Sequence, residues 1–171
     1  MLKIICLGCL ISFGVSVFGQ APATTHSFVI SGEVRSPLTV GVDDLKKFPE
    51  VSIGDLVITN HLGEKKSDAT GLKGILLKQI LQTAELKSEN PKVLSTFYFV
   101  LRASDGYQVV YSWNELFNTV VGETVYVITE KNGKTLAQMD DAILVVSTRD
   151  YKTGRRNVKG LAGILVARVP Q

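Results

Sequence analysis

Extended-type segments closed by turn pairs run through this chain without alternating with helical ones. That pattern places it in the α+β class, with mixed or antiparallel sheets and a few short helices. Residues 27–34 form a β-rich run closed by Ser36-Pro37, 38–40 resume extended character, and 51–59 read as a strand. Asp105-Gly106 and Asn132-Gly133 are turn pairs that favour positive φ, so 97–103 with 107–111, and 124–130 with 134–136, read as two hairpins. Segments 143–147 and 161–169 close the domain as strands.

Helices are predicted where the spacing changes. Asp43-Asp44 open a short one that Pro49 stops. Ile75, Leu76, Leu77, Ile80, Leu81 and Ala84 recur at helical spacing and predict the longest helix of the chain. Ser112 and Glu115 have capping-box spacing, which predicts a short helix over 113–117. The polar stretch 61–70 reads as a solvated loop or hairpin.

Residues 1–19 read as a secretory signal peptide, with Lys3 before an apolar run over 4–15 and small residues near Gly19, where cleavage is expected. The protein is therefore expected to be exported, periplasmic or secreted, with no membrane span after cleavage. Residues 20–26 are a flexible lead, and 27–171 form the domain. The two cysteines, Cys6 and Cys9, both lie in the leader, so the mature chain has no thiol for a disulfide, a zinc site or a catalytic nucleophile. Its stability must come from packing, which a hydrophobic fraction of 45% can supply.

A net charge of +3 is too small to drive binding to a nucleic acid or an anionic surface by charge alone, so any anion site must be local. One stretch qualifies. Between 149 and 159 lie Arg149, Lys152, Arg155, Arg156 and Lys159, offset by Asp150 alone. Guanidinium groups can fork onto phosphate oxygens, Lys159 adds a point charge, and Gly154 lets the backbone turn closely. Read from composition alone, such a loop is more often a solvated surface than a site. His26 and His61 are 35 positions apart with no cysteine nearby, so nothing but residue type suggests a metal pair. Nucleotide phosphate loops, dinucleotide fingerprints and serine nucleophile elbows are absent. The aromatic residues fit strand alternation rather than a base-stacking platform, so a nucleic-acid partner is not expected.

Several segments taken in order resemble the molybdopterin-binding domain of the sulfite oxidase family. Gly32-Glu33-Val34 with Pro37 and Leu45 is similar to its opening strand, turn and short helix. The run from Gly74 to Leu81 is similar to its Gly-Val-Pro-Leu helix start, with Leu76 in place of the proline. Ala103-Ser104-Asp105-Gly106-Tyr107 followed by Glu115-Leu116 matches its central hairpin. Gly154-Arg155-Arg156-Asn157-Val158-Lys159 resembles its near-terminal Arg-Asn-Val-Lys segment, which holds the pterin and its phosphate.

The resemblance implies a molybdopterin-binding-like fold with a cofactor cleft, and makes Arg149, Arg155, Arg156, Asn157, Val158 and Lys159 the expected cofactor-binding residues. It also implies a metal-ligating cysteine after the strand before the Gly-Val-Pro-Leu helix. That region here reads Val57-Ile58-Thr59-Asn60-His61, with no sulfur. The expected function is binding of a pterin cofactor or another small anionic ligand without thiolate-ligated molybdenum. An active molybdenum-dependent oxidoreductase of the sulfite oxidase type and a partner-binding domain with an empty cleft stay open as alternatives. There is no haem-attachment motif, so electrons would have to come from a separate redox partner. The mature chain is short for a catalytic member, and 61–68 looks too polar to wall a pocket, so a shallow, open cleft is expected.

Overall fold

The computed structural model describes residues 22–88 and 90–170. The expected signal peptide, with Cys6 and Cys9, lies outside the described residues, as do the first two residues of the expected lead. In chain order the elements are β1 (Ser27–Gly32), β2 (Leu38–Gly41), α1 (Val42–Leu45), β3 (Val51–Thr59), β4 (Lys65–Leu76), α2 (Leu77–Leu81), β5 (Phe97–Ala103), β6 (Gln108–Ser112), α3 (Trp113–Phe117), β7 (Val125–Lys131), β8 (Lys134–Thr135), β9 (Leu144–Ser147) and β10 (Leu161–Arg168). Short 3-10 turns fill several of the connections. The class is α+β, as the unalternated strands predict.

The strands form two five-stranded sheets. One has the order β2-β1-β10-β5-β6, and the other runs β3-β4-β7-β8 with β9 also paired to β7. Among the described residues only β1 and β10 pair in parallel, so the first sheet is mixed and the second antiparallel. Both predicted hairpins form. Asn132 and Gly133 sit at φ 54° and 72°, the left-handed pair of a two-residue connection whose twist matches the flanking strands. Ser112 and Glu115 cap α3 reciprocally: the Glu115 N–H donates to Ser112 Oγ at 3.1 Å and the Ser112 N–H to Glu115 Oε2 at 2.8 Å.

The long helix predicted from Ile75 onward is shorter than its spacing suggests. Ile75 and Leu76 belong to β4, paired with Val127 and Tyr126 of β7, and only Leu77–Leu81 is helical. Ile75, Leu77, Ile80, Leu81 and Ala84 are all buried. Their recurrence therefore marks burial on two successive elements, which periodicity in a short apolar run cannot separate. The 61–70 stretch resolves as a hairpin, with a turn before Lys65 and the rest in β4.

One contiguous cluster of buried side chains draws on both sheets. Phe28 and Ile30 of β1, Phe97, Phe99 and Leu101 of β5, and Ile164 and Val166 of β10 join Leu72 and Ile75 of β4 and Val125 and Val127 of β7. Residues 22–26 are tied to this body: Thr24 Oγ1 donates to the Asp140 carbonyl at 2.5 Å, and Thr25 Oγ1 accepts the Ile143 N–H at 2.9 Å.

Candidate functional site

The basic segment before β10 is fastened to both sheets. The Thr153 hydroxyl donates to the Val57 carbonyl at 2.9 Å and accepts the Thr59 N–H at 3.0 Å, capping the end of β3. Gly154 lies so close that a Cβ there would stand 1.9 Å from the Thr59 carbonyl oxygen. Only glycine fits that approach. Further along, Val158 and Val145 exchange both backbone hydrogen bonds, at 2.8 and 2.9 Å, joining the segment to β9. On the other side, the Tyr107 hydroxyl donates to the Arg155 carbonyl at 2.5 Å, and the Ser104 N–H to the Gly160 carbonyl at 2.8 Å.

These attachments frame a cleft of about 600 Å³ between the β3–β4 hairpin, the β5–β6 turn and the basic segment. His61, Lys66, Tyr107, Arg155, Asn157 and Lys159 line it, with Thr59 and Asn60 at its wall. A smaller pit of about 130 Å³ shares Ile58, Ser67, Asn157 and Lys159 with the cleft. Among the described residues Lys66, Arg155 and Lys159 have no carboxylate within ion-pair distance, and Asp105 is the one acidic residue lining the cleft. Arg155 is oriented through its Nε, which donates to the His61 carbonyl at 3.3 Å. Asn157 Oδ1 and Thr59 Oγ1 are buried with no hydrogen-bond partner among the described residues. Orphaned buried polar atoms are rare, and at a cleft wall they mark places where a ligand can complete the bonding.

Of the six expected cofactor contacts, Arg155, Asn157 and Lys159 meet in this cleft and the other three do not. Arg156 turns inward. Its Nε donates to Asp150 Oδ2 at 2.6 Å, its Nη2 to Asp150 Oδ1 at 2.5 Å and its Nη1 to Glu115 Oε1 at 3.2 Å, while the guanidinium lies 4.6 Å from the centre of the Tyr111 ring. Arg155 and Arg156 are successive residues of one 3-10 turn, Thr153–Arg156, whose side chains point about 120° apart, so Arg156 faces inward while Arg155 faces the cleft. Val158 is wholly buried, as its bridge to Val145 requires. Arg149 lies at a different depression, with Asp55, Glu123 and Thr148.

The Arg156 cluster sets its own titration. Burial pushes Asp150 up, but the hydrogen bonds from Arg156 and Ser147, with the Arg156 charge, outweigh it and hold the carboxyl below its ordinary value. The hydrogen bond to Asp150 in turn holds Arg156 protonated, and burial keeps the Tyr111 phenol neutral. A carboxyl whose pKa is lower in the folded than in the unfolded chain stabilises the fold above its unfolded value, 3.8, and stops doing so as pH falls through the folded one. The urea midpoint should therefore carry an Asp150-dependent drop only below about pH 4. Asp150→Asn should remove that increment, and a drop of equal size in the variant would contradict it.

Sequence reasoning missed Lys66, Ser67 and Tyr107. The stretch taken as too polar to wall a pocket supplies His61, Lys66 and Ser67. A strand can line a cleft with polar side chains while its backbone is satisfied by its neighbour, here Ile58 opposite Ser67. The signal available for Lys66 was a second basic pair, Lys65-Lys66, of which Lys65 pairs with Asp68 at 2.7 Å.

The same wall tests the metal that the resemblance implies. Asn60 is consumed by its own turn: Oδ1 accepts the N–H groups of Leu62, Gly63 and Glu64, and Nδ2 donates to Glu64 Oε2 at 2.7 Å. What remains is the Thr59 hydroxyl and the His61 imidazole, a donor set that does not fit thiolate-ligated molybdenum. Among the described residues no group of three or more His, Cys, Asp or Glu could hold a metal ion.

No family model matches the chain, and no curated protein matches it. Among solved structures, the sulfane dehydrogenase SoxCD from Paracoccus pantotrophus superposes with a TM-score of 0.61 at 16% identity. The chain shares its fold with part of that enzyme. The match covers 82% of this chain but 38% of the SoxCD chain, so the shared fold accounts for well under half of the larger protein. A match over 82% of this chain supports the mixed α+β architecture that carries the cleft.

Proposed function

We propose that this chain is an exported domain of the molybdopterin-binding fold that holds a pterin or another small anionic ligand without thiolate-ligated molybdenum catalysis. One observation carries the reading: Arg155 and Lys159, drawn from the basic segment, meet Lys66 and the unsatisfied Asn157 Oδ1 in a single cleft. The cations suit a phosphate or carboxylate, and Asn157 Oδ1 suits an N–H donor of a heterocycle. The ordered motif resemblance supports a pterin as that heterocycle, and the fold shared with part of a sulfane dehydrogenase supports an oxidoreductase-like scaffold. A bound pterin would supply redox-active ring chemistry; the residues of this chain would bind its anionic end and orient the ring. The apolar leader supports export to a periplasmic or secreted location, and a separate redox partner would be needed for any turnover.

Exported protein should release a fluorescent oxidised pterin on acid treatment, or another anion identified by mass spectrometry, with molybdenum well below stoichiometry. Arg155→Ala with Lys159→Ala should lower the retained ligand at least about tenfold, since each lost charged hydrogen bond is worth roughly 1.5–3 kcal/mol. The thermal midpoint should fall with it. Stoichiometric molybdenum would show an active molybdoenzyme instead. Unchanged ligand content and melting in the double variant would show that the cleft is empty.

A further inference from the structure

Two neighbouring loop tips project apolar side chains into solvent. Leu62, at the tip of the β3–β4 hairpin, is 61% exposed, and Tyr151, in the loop after β9, is fully exposed. The methylene stem of Lys152 lies 3.7 Å from where a Cβ on Gly63 would stand, so the two tips are adjacent. Lys152 lies against the hairpin tip and Arg155 is hydrogen-bonded to the His61 carbonyl beside it, while Lys66 and Lys159 line the adjoining cleft; none of the four has a carboxylate within ion-pair distance among the described residues. The acidic groups of the same rim are Glu64, hydrogen-bonded to Asn60, and Asp105, whose carboxylate accepts the Tyr107 N–H.

We infer that this rim docks on an anionic phospholipid surface, with Leu62 and Tyr151 entering the headgroup layer and the cations facing lipid phosphates. A single exposed apolar residue needs no explanation, but two on adjacent protrusions beside cations with no acidic partner form a composite feature. Tyrosine suits that layer because its ring is apolar and its hydroxyl stays wet. A protein partner would want a continuous patch of about 800 Å² on each side. Two tips standing beside an open cleft do not offer one, whereas a headgroup layer accepts isolated protrusions. The small net charge of the chain does not oppose this, because each cation acts within a Debye length of the surface. No helix among the described residues is long and apolar enough to cross a membrane.

Lys66, Arg155 and Lys159 also line the cleft, so the test by vesicle co-sedimentation of the full chain uses residues outside it, Leu62, Tyr151 and Lys152. Vesicles of phosphatidylcholine mixed with phosphatidylglycerol should bind at least about tenfold more tightly than phosphatidylcholine alone, and less tightly as salt is raised. Leu62→Ser with Tyr151→Ser, and separately Lys152→Glu, should each weaken that binding about tenfold while circular dichroism and melting stay unchanged. An N-terminal leader, if retained, is common to every variant. Equal binding by the double variant and its parent would overturn the inference, as would equal binding to both vesicle types. Capture by poly-L-glutamate, unaffected by the double substitution and with no preference for the anionic vesicles, would assign the rim to an acidic protein.

Discussion

Arg156→Ala is expected to destabilise the fold by about 2–4 kcal/mol and so lower the thermal midpoint by about 5–15 °C. The side chains of Arg156 and Asp150 are 22% and 14% exposed, so the pair is more buried than a surface bridge, whose loss would cost about 1 kcal/mol or less. Truncation leaves Asp150 and Glu115 facing a gap, and it strips a cation from the face of the Tyr111 ring. Arg156→Lys keeps the charge but cannot fork onto both Asp150 oxygens, so it should recover less than half of the loss. Calorimetry and urea unfolding measure both variants. A loss under about 0.5 kcal/mol for the alanine variant would mean that solvent screens the cluster and that Arg156 does not hold the basic segment.

Gly154→Ala should be nearly as damaging and more specific to the cleft. The added methyl would meet the Thr59 carbonyl oxygen at 1.9 Å and its carbon at 3.0 Å, both backbone atoms that no rotamer change can move aside. The 3-10 turn must then lift off the end of β3, breaking the Thr153 hydrogen bonds, at an expected cost of about 2–3 kcal/mol. Arg155 and Asn157 move with it. Ligand retention should fall as far as in the Arg155→Ala, Lys159→Ala variant, although both cleft cations are still present. Full retention together with native stability would show that the turn shifts without moving the cleft wall.

The two substitutions separate what each neighbour in one motif does. Arg155, Asn157 and Lys159 face the cleft, whereas Arg156 faces the cluster around Asp150 and Val158 enters the core. In the sequence they are consecutive residues of one segment, and no property of the side chains alone distinguishes Arg155 from Arg156. The difference comes from which way the 3-10 turn points each side chain, and that depends on where the turn is pinned to β3.

Local chemistry made much of the fold legible. β3 and β5 run over the residues that their β-branched and aromatic content predicts, because strand preference and burial agree there. The capping box of α3 and the two turn pairs act within a few residues, so their outcome needs no distant contact. The helix predicted from Ile75 failed at its start because β7, some fifty positions further on, recruits Gly74, Ile75 and Leu76 into pairing. The Thr59 region was legible as lacking sulfur. Its use of Asn60 to close the hairpin was not.

By itself the sequence determined the α+β class, most strand positions, the absence of any thiol after Cys9 and the presence of one concentrated basic segment. These depend on residue type and near-neighbour spacing. Tertiary structure alone decided that Lys66, Tyr107, Arg155, Asn157 and Lys159 share one cleft, that Arg156 stabilises it from behind, and that Leu62 and Tyr151 stand side by side. Those groupings join residues up to about ninety positions apart. They are set by sheet pairing and by the close backbone approach at Gly154, where long-range packing rather than local preference selects the direction in which each side chain points.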